Sequence, residues 1–259
     1  MNVTKRQSEI IALAAGPHAA PTNIAYTPEE HFVWQTVSTA LEPIWEQRVE
    51  SAVLAARDIL ALPTDRIPQL REVSLALEER SGFVFRAVGG LAPREAFFSG
   101  LKHREFLSTQ FIRSAENPFY TEQPDVVHEL IGHATLLADP ALAELHELAG
   151  QALTRVETEE AKQAVANVWW FSGEFGVVRR NSAVKAVGAG ILSSISELQN
   201  IGNVRIEPLD PTSMATQPYV IDQLQPILFG ADSSDHLVHE VGTFFETITD
   251  GMFVCREKE

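Results

Sequence analysis

Residues 124–133 read Pro-Asp-Val-Val-His-Glu-Leu-Ile-Gly-His, and His128, Glu129 and His133 are the side chains best suited to hold a metal or move a proton. The arrangement comes close to the H-E-x-x-H pattern of zinc proteases, in which Glu129 would be the general base. The spacing refutes that reading, because the histidines are five residues apart and the pattern needs four. At about 100° per residue, a separation of four leaves two helical side chains about 40° apart, whereas five leaves about 140°. His128 and His133 can share a metal only if the helix ends or bulges between them, and Gly132 is the residue placed to permit that break. Otherwise one histidine caps a helix end and the other is a hydrogen-bonded core residue.

A third group stands in Val168-Trp169-Trp170-Phe171-Ser172-Gly173-Glu174-Phe175-Gly176-Val177-Val178, where one carboxylate interrupts an apolar run. A buried unpaired carboxylate costs several kcal/mol, so Glu174 either faces water or holds a positive partner. The plain partner is Arg179, Arg180 or Lys185. The sharper one is a divalent metal shared with His128 and His133. Two neutral imidazoles and one carboxylate are the facial triad of non-haem iron(II) oxygenases, with coordination positions left open.

The elements that must position these groups read mostly as helix. Thr27-Pro28-Glu29-Glu30 supplies an N-cap, a proline at the first helical position and a carboxylate at the third. Val33, Val37, Ala40 and Leu41 then give the helix one buried face, and Pro43 is expected to end or kink it. Further helices are expected over residues 45–62, 69–80, 93–107, 124–132, 140–153 and 157–178, and from Ser233 or Asp235 toward Ile248. Phe83, Phe85 and Ala87 alternate as in a short strand, residues 201–208 read as strand and loop, and Gly188-Ala189-Gly190 as a small-residue turn. The fold class expected is α+β, predominantly α-helical, with a few short strands in a single domain. Residues 1–25 lack clear periodicity and read as a loose N-terminal tail before a domain over 26–259.

Composition narrows the partners. The 259 residues carry 20 Lys and Arg against 35 Asp and Glu, a net charge of −15 that opposes binding to nucleic acid or anionic membranes. No apolar run approaches the ~20 residues of a membrane span. Lys5-Arg6 precede a short apolar run, but Gln7, Ser8 and Glu9 interrupt it as a signal peptide. The single cysteine, Cys255, excludes an intrachain disulfide framework and fits a reducing, cytoplasmic setting.

Taken together, the motifs resemble the catalytic domain of the pterin-dependent aromatic amino acid hydroxylases, in particular the short bacterial phenylalanine 4-hydroxylase type. The His-Glu-x-x-Gly-His element at 128–133, followed by Trp-Phe-x-x-Glu-Phe-Gly at 170–176, is the specific part. Tyr26 to His31, Asp65 to Pro68, Phe106 to Arg113, Tyr120 to His133, Lys185 to Leu198 and Gln217-Pro218-Tyr219 match in unbroken order. The resemblance implies Fe(II) on His128, His133 and Glu174, and a tetrahydropterin (tetrahydrobiopterin or a related bacterial pterin). With O2, this equipment would hydroxylate an aromatic amino acid ring, turning L-phenylalanine into L-tyrosine. It further implies that Arg113 grips the substrate carboxylate, a task suited to a planar bidentate donor. Thr121, Asp125 and Ser193 would orient Arg113 or the substrate's charged end, and Pro124 and Trp170 would wall the ring pocket. Gly188 to Gly190 would let backbone come close to a ligand. Phe97 would stack on the pterin, with Gly90, Ala92 and Arg94 along its hydrogen-bonding edge and Glu129 near pterin and metal-bound water. A monomer is expected, since no regulatory domain or tetramerisation helix is recognisable.

Ala92, Leu107, Ala134-Thr135, Trp169 and Val187 depart from the usual residues of the family. None removes a ligand, but Trp169 and Val187 leave substrate choice and ring position open, while Trp170 argues for phenylalanine over tryptophan. Meta-hydroxylation of phenylalanine and hydroxylation of tryptophan are the near alternatives. A zinc hydrolase or a non-catalytic metal-binding domain is the remote one.

Overall fold

The computed structural model describes residues 4–14, 20–180, 183–221 and 223–253, so Cys255 lies outside the described residues. The described residues are 56% helical with a few short strands. Helix α2 (Pro28–Arg48) begins on the expected capping box, Thr27 accepting from the Glu30 N–H and Glu30 reaching back to Thr27. Its buried stripe of Val33, Val37, Leu41 and Trp45 carries the helix straight past Pro43. Pro43 lies on the exposed face, and Thr39, whose carbonyl loses its helical donor, is exposed to water. The expected break falls instead at Val49-Glu50, where the Glu50 N–H donates to the Ala186 carbonyl at 2.9 Å and a new helix, α3 (Ser51–Leu60), starts.

Helix α4 (Leu70–Ser81) ends on Gly82 in the left-handed conformation and feeds β1 (Val84–Ala87). Helix α5 (Arg94–Lys102) stops short of the expected Leu107, because Glu105–Ser108 form β2, paired parallel to β1 with Phe85 opposite Phe106. Phe106 and Leu107 prolong the apolar pattern of the helix before them, which conceals the strand. After a π-helical turn at His128–Ala134, α6 (Thr135–Leu137) leads to α7 (Pro140–Arg155), capped by Asp139. Helix α8 (Glu159–Trp169) passes into a second π-turn, Trp170–Glu174, and then into β3 (Val177–Arg180), so the long helix expected to Val178 ends nine residues early. The remaining elements are β4 (Ala183–Ala186), α9 (Ala189–Leu192), α10 (Ile195–Asn200), β5 (Arg205–Pro208), α11 (Pro211–Thr216), β6 (Ile227–Ala231) and α12 (Ser234–Thr247). The four-stranded sheet has the order β4-β3-β6-β5, with only the β3–β4 pair antiparallel.

The expectation of a loose tail over 1–25 needs correction. Residues Lys5–Ile11 form α1, closed by a capping box between Thr4 and Gln7. Ile10 is buried against Ile24 and Phe111, Arg6 pairs with Glu30 at 3.2 Å, and Gln7 donates to the Ile112 carbonyl. One turn of apolar residues with a cap is too short to show periodicity; tertiary contact holds it. Among the described residues, no helix is long and apolar enough to cross a membrane.

Candidate active site

Both candidate histidines leave the chain on one π-turn. Hydrogen bonds from i to i+5 widen the helix so that a residue five positions on returns to the same side, which an α-helix does not allow. His128 and His133, separated by about 140° in an α-helix, therefore meet, with their Nε2 atoms 3.0 Å apart. Gly132 does not act as the break. A Cβ there would lie 2.7 Å from the Ala189 carbonyl oxygen, so its lack of a side chain lets α9 press against the π-turn. Glu174 closes the second π-turn, in which the Phe175 N–H donates to the Trp170 carbonyl five residues back at 2.9 Å. Its Oε1 lies 3.0 Å from His133 Nε2 and its Oε2 3.7 Å from His128 Nε2. Gly188 and Gly190 let their segment press on the Glu174 backbone, since a Cβ on Gly188 would stand 2.3 Å from the Glu174 carbonyl oxygen, and Gly190 also lines the adjoining cavity.

The protonation states suit a cation. Burial lowers His128 to about 4 and His133 to about 3, so both imidazoles are neutral at pH 7. Ser193 Oγ donates to the Ala189 carbonyl at 2.9 Å, which leaves it to accept from His128 Nδ1–H, also at 2.9 Å. That bond fixes the His128 tautomer with an unprotonated Nε2 facing His133 and Glu174. Burial raises the Glu174 pKa, opposed first by His128. Two of the basic residues that could have answered Glu174 are engaged elsewhere: Arg180 with Glu50 at 2.9 Å and Lys185 with the Gln47 carbonyl at 2.6 Å. Three converging donors, two neutral nitrogens and one carboxylate, form a set that would hold iron(II) on one face.

These groups open into a cavity of about 630 Å3. Arg113, 6% exposed, lines it and forms a bidentate pair with the fully buried Asp125, Nε–Oδ2 2.9 Å and Nη2–Oδ1 2.7 Å. Asp125 also accepts from the Arg113 backbone N–H at 2.7 Å and from the His128 N–H at 3.3 Å. One carboxylate thus ties Arg113 to the first turn of the metal-bearing helix. It takes the Nε side of the guanidinium and leaves Nη1 for a ligand in the cavity. Thr121 lines the cavity but donates within its own turn, to the Gln123 carbonyl at 2.6 Å. Ser193, expected to orient Arg113 or the substrate's charged end, lines the cavity as well, and its hydroxyl is engaged by His128. Pro124 and Trp170 line the same space, and Trp170 stacks on Tyr219 at 4.2 Å and 11°.

The same cavity is lined by Gly90, Ala92, Arg94 and Phe97, the residues expected near a pterin. Phe97 is only partly buried, edge-on to Trp169 at 5.0 Å and to Phe106 at 5.3 Å. Arg94 is engaged with Glu95 and Glu159, each at 2.7 Å. Glu129 is 4% exposed and burial pushes it up to about 8, even though the Thr109 N–H donates to it at 3.1 Å. Burial thus biases it toward the protonated form, and the bonds it makes to Thr109 are accepted ones.

The profile of the biopterin-dependent aromatic amino acid hydroxylases matches residues 3–257. This chain belongs to that family. The hydroxylase is 42% identical over 247 residues to phenylalanine 3-hydroxylase of Streptomyces coeruleorubidus, covering 95% of this chain and 88% of the relative. It is 36% identical over 233 residues to tryptophan 5-hydroxylase of Xenopus laevis, covering 87% of this chain and 48% of that longer protein. Among solved structures, Chromobacterium violaceum phenylalanine hydroxylase with bound iron(III) and 7,8-dihydrobiopterin superposes with a TM-score of 0.84 at 26% identity, covering 95% and 92% of the two chains. The family is biopterin-dependent, and the donor set of this hydroxylase fits the iron that the solved relative carries.

Sequence reasoning missed Thr109, Glu197 and Gln225, all in or beside the cavity. Ser194 to Glu197 has the S-x-x-E form of a helix start, which explains Glu197 as a cap partner and conceals its other contact. Its carboxylate instead accepts from the Gln225 backbone, and burial raises its pKa from 4.5 to about 7. The unfolded chain ionises near 4.5 while the native state keeps the proton to about 7, so stability falls as pH rises between those values. Glu197→Gln is therefore expected to melt like the parent near pH 4 and to be more stable by about 2 kcal/mol at pH 8. Equal denaturation midpoints at both pH values would dismiss the buried proton.

Proposed function

We propose that this hydroxylase acts on the ring of L-phenylalanine, using O2 and a tetrahydropterin at iron(II) held by His128, His133 and Glu174. The observation that carries the reading is the buried Arg113–Asp125 pair facing the cavity that the three ligands open into. A planar guanidinium is matched to a carboxylate, and the apolar walls of Pro124, Trp170 and Phe175 are matched to an aromatic ring. Arg113 anchors the amino acid end, Trp170 and Pro124 hold the ring, and Glu129 lines the cavity beside the metal ligands, within reach of the pterin. Phe97 and the 90–94 backbone receive the flat cofactor. Iron and pterin together supply oxygen activation, while the protein binds, orients and excludes water.

For the ring position, the 42% identity to a phenylalanine 3-hydroxylase across 88% of its length favours meta-tyrosine as the product. The second reading is para-hydroxylation to tyrosine, favoured by the likeness of the 128–133 and 170–176 motifs to the bacterial 4-hydroxylase type. Chromatography against authentic meta- and para-tyrosine, with phenylalanine, tyrosine and tryptophan supplied in parallel to iron-loaded protein, decides between them. Meta-tyrosine from phenylalanine, requiring iron, O2 and tetrahydropterin together, is expected. Product from tryptophan alone would overturn the substrate assignment.

A further inference from the structure

We propose that Gln225 is a positioning residue for the reacting ring, acting through Trp170 to decide which ring carbon is presented for hydroxylation. The proposal rests on the reading of Trp170 as a wall of the ring pocket. Gln225 is 2% exposed and stands just before β6. Its Oε1 accepts from Trp170 Nε1–H at 3.2 Å, and its Nε2 donates to the Val220 and Gln223 carbonyls, both at 2.9 Å. Its backbone N–H goes to Glu197. Both amide protons and the amide oxygen are used, so this buried side chain has one arrangement that satisfies it.

That arrangement constrains Trp170 in a way packing does not. Stacking on Tyr219, at 4.2 Å and 11°, and the tilted contact with Phe175 at 4.8 Å fix the plane of the indole. Stacked rings can still slide and turn within their plane at small cost, because the attraction is spread over the faces. A hydrogen bond at Nε1 removes that freedom. The substrate ring packs against this wall, and its adjacent carbons are a bond length apart. Misplacement by about 1 Å can change a rate by about 10²-fold, so a turn of Trp170 is enough to redistribute product between neighbouring positions. Trp170 also opens the π-turn that ends at Glu174, which makes Gln225 a brace between the Val220 and Gln223 carbonyls and the turn carrying a metal ligand.

The test compares Gln225→Leu, Gln225→Glu, Trp170→Phe, Trp170→Ala and the Gln225→Leu/Trp170→Phe double variant. Gln225→Leu is expected to change the meta-to-para product ratio by at least about threefold, well inside the roughly 10²-fold reach of a displacement of about 1 Å. It also raises the share of tetrahydropterin oxidised without product. Gln225→Glu keeps an oxygen for Trp170 while giving up the bonds that Nε2 donates to the Val220 and Gln223 carbonyls, and is expected to hold the parent ratio. Trp170→Phe shifts the ratio alone, and the double variant adds nothing further. In metal-free protein, the Trp170 indole N–H resonance, identified by its absence in Trp170→Phe, moves upfield and exchanges faster in Gln225→Leu. The proposal is overturned if Gln225→Glu shifts the ratio as much as Gln225→Leu, or if Gln225→Leu leaves both ratio and resonance in place. Should Trp170→Phe and Trp170→Ala change neither the ratio nor KM for phenylalanine, the ring-wall reading itself fails, a result distinct from failure of Gln225 alone.

Discussion

His133→Ala is expected to leave a folded protein that no longer retains iron and hydroxylates at less than about 1% of the parent rate. Loss of an outer partner of a metal ligand already costs about 10–100-fold in affinity or activity, and loss of the ligand itself exceeds that range. His133 is also the middle of the triad, with its Nε2 3.0 Å from both His128 Nε2 and Glu174 Oε1. Removing it leaves two donors, too few to define the face on which iron sits. Ser193→Ala is the graded companion. It frees His128 Nδ1 from the acceptor that directs it and is expected to weaken iron binding by about 10–100-fold with the triad intact. Iron retained through chelator competition, measured beside circular dichroism, checks both. A folded His133→Ala protein that keeps one tightly held iron per chain would remove the triad from the account.

The same three residues show how far the sequence reaches. The five-residue spacing of His128 and His133 announces that the helix cannot be regular there, because about 140° of separation cannot serve one metal. It does not say what replaces regularity. The cause is a π-turn, and the glycine inside it serves the approach of Ala189, a contact between segments far apart in sequence. Glu174 was legible as a charge in need of a partner, and Arg179, Arg180 and Lys185 were legitimate candidates until the fold sent Arg180 to Glu50 and Lys185 to Gln47. Local signals did well where the cause was local: the Thr27 capping box, the alternation around Phe85, the start of α12 behind Ser233. They did poorly where tertiary contact decides. Pro43 sits inside a helix because its buried stripe outweighs one lost hydrogen bond on the wet side. Residues 5–11 are ordered by Phe111 and Glu30, and nothing within those seven residues announces either partner. Gln225 is the extreme case: a polar residue between Leu224 and Pro226 with no pattern around it, whose meaning lies in an indole 55 residues away.

Asp125→Ala is expected to cost about 3–5 kcal/mol of stability, the price of stranding a buried guanidinium, and to lower the melting temperature by about 10 °C. The reasoning turns on desolvation. Arg113 and Asp125 are both removed from water, and the energy that compensates the cation comes from one carboxylate accepting three bonds from Arg113 and one from His128. A surface pair of the same geometry would contribute a fraction of that, since water would take up the charge. Alanine removes all four acceptor contacts at once and leaves the first π-turn without its starting bond. Asn at the same position keeps the shape and one oxygen, but its NH2 group faces an Arg113 N–H, so Asp125→Asn falls between parent and alanine. With Arg113 as the partner of the substrate carboxylate, loss of its orienting partner also raises KM for phenylalanine by about 30-fold or more, the equivalent of about 2 kcal/mol, while KM for the pterin, which does not use that contact, changes little. Urea denaturation and the two KM values measured on Asp125→Asn, the milder variant, separate the effects. Equal rises in both KM values would mean that the whole cavity had deformed, and would count against Arg113 as a substrate-specific contact.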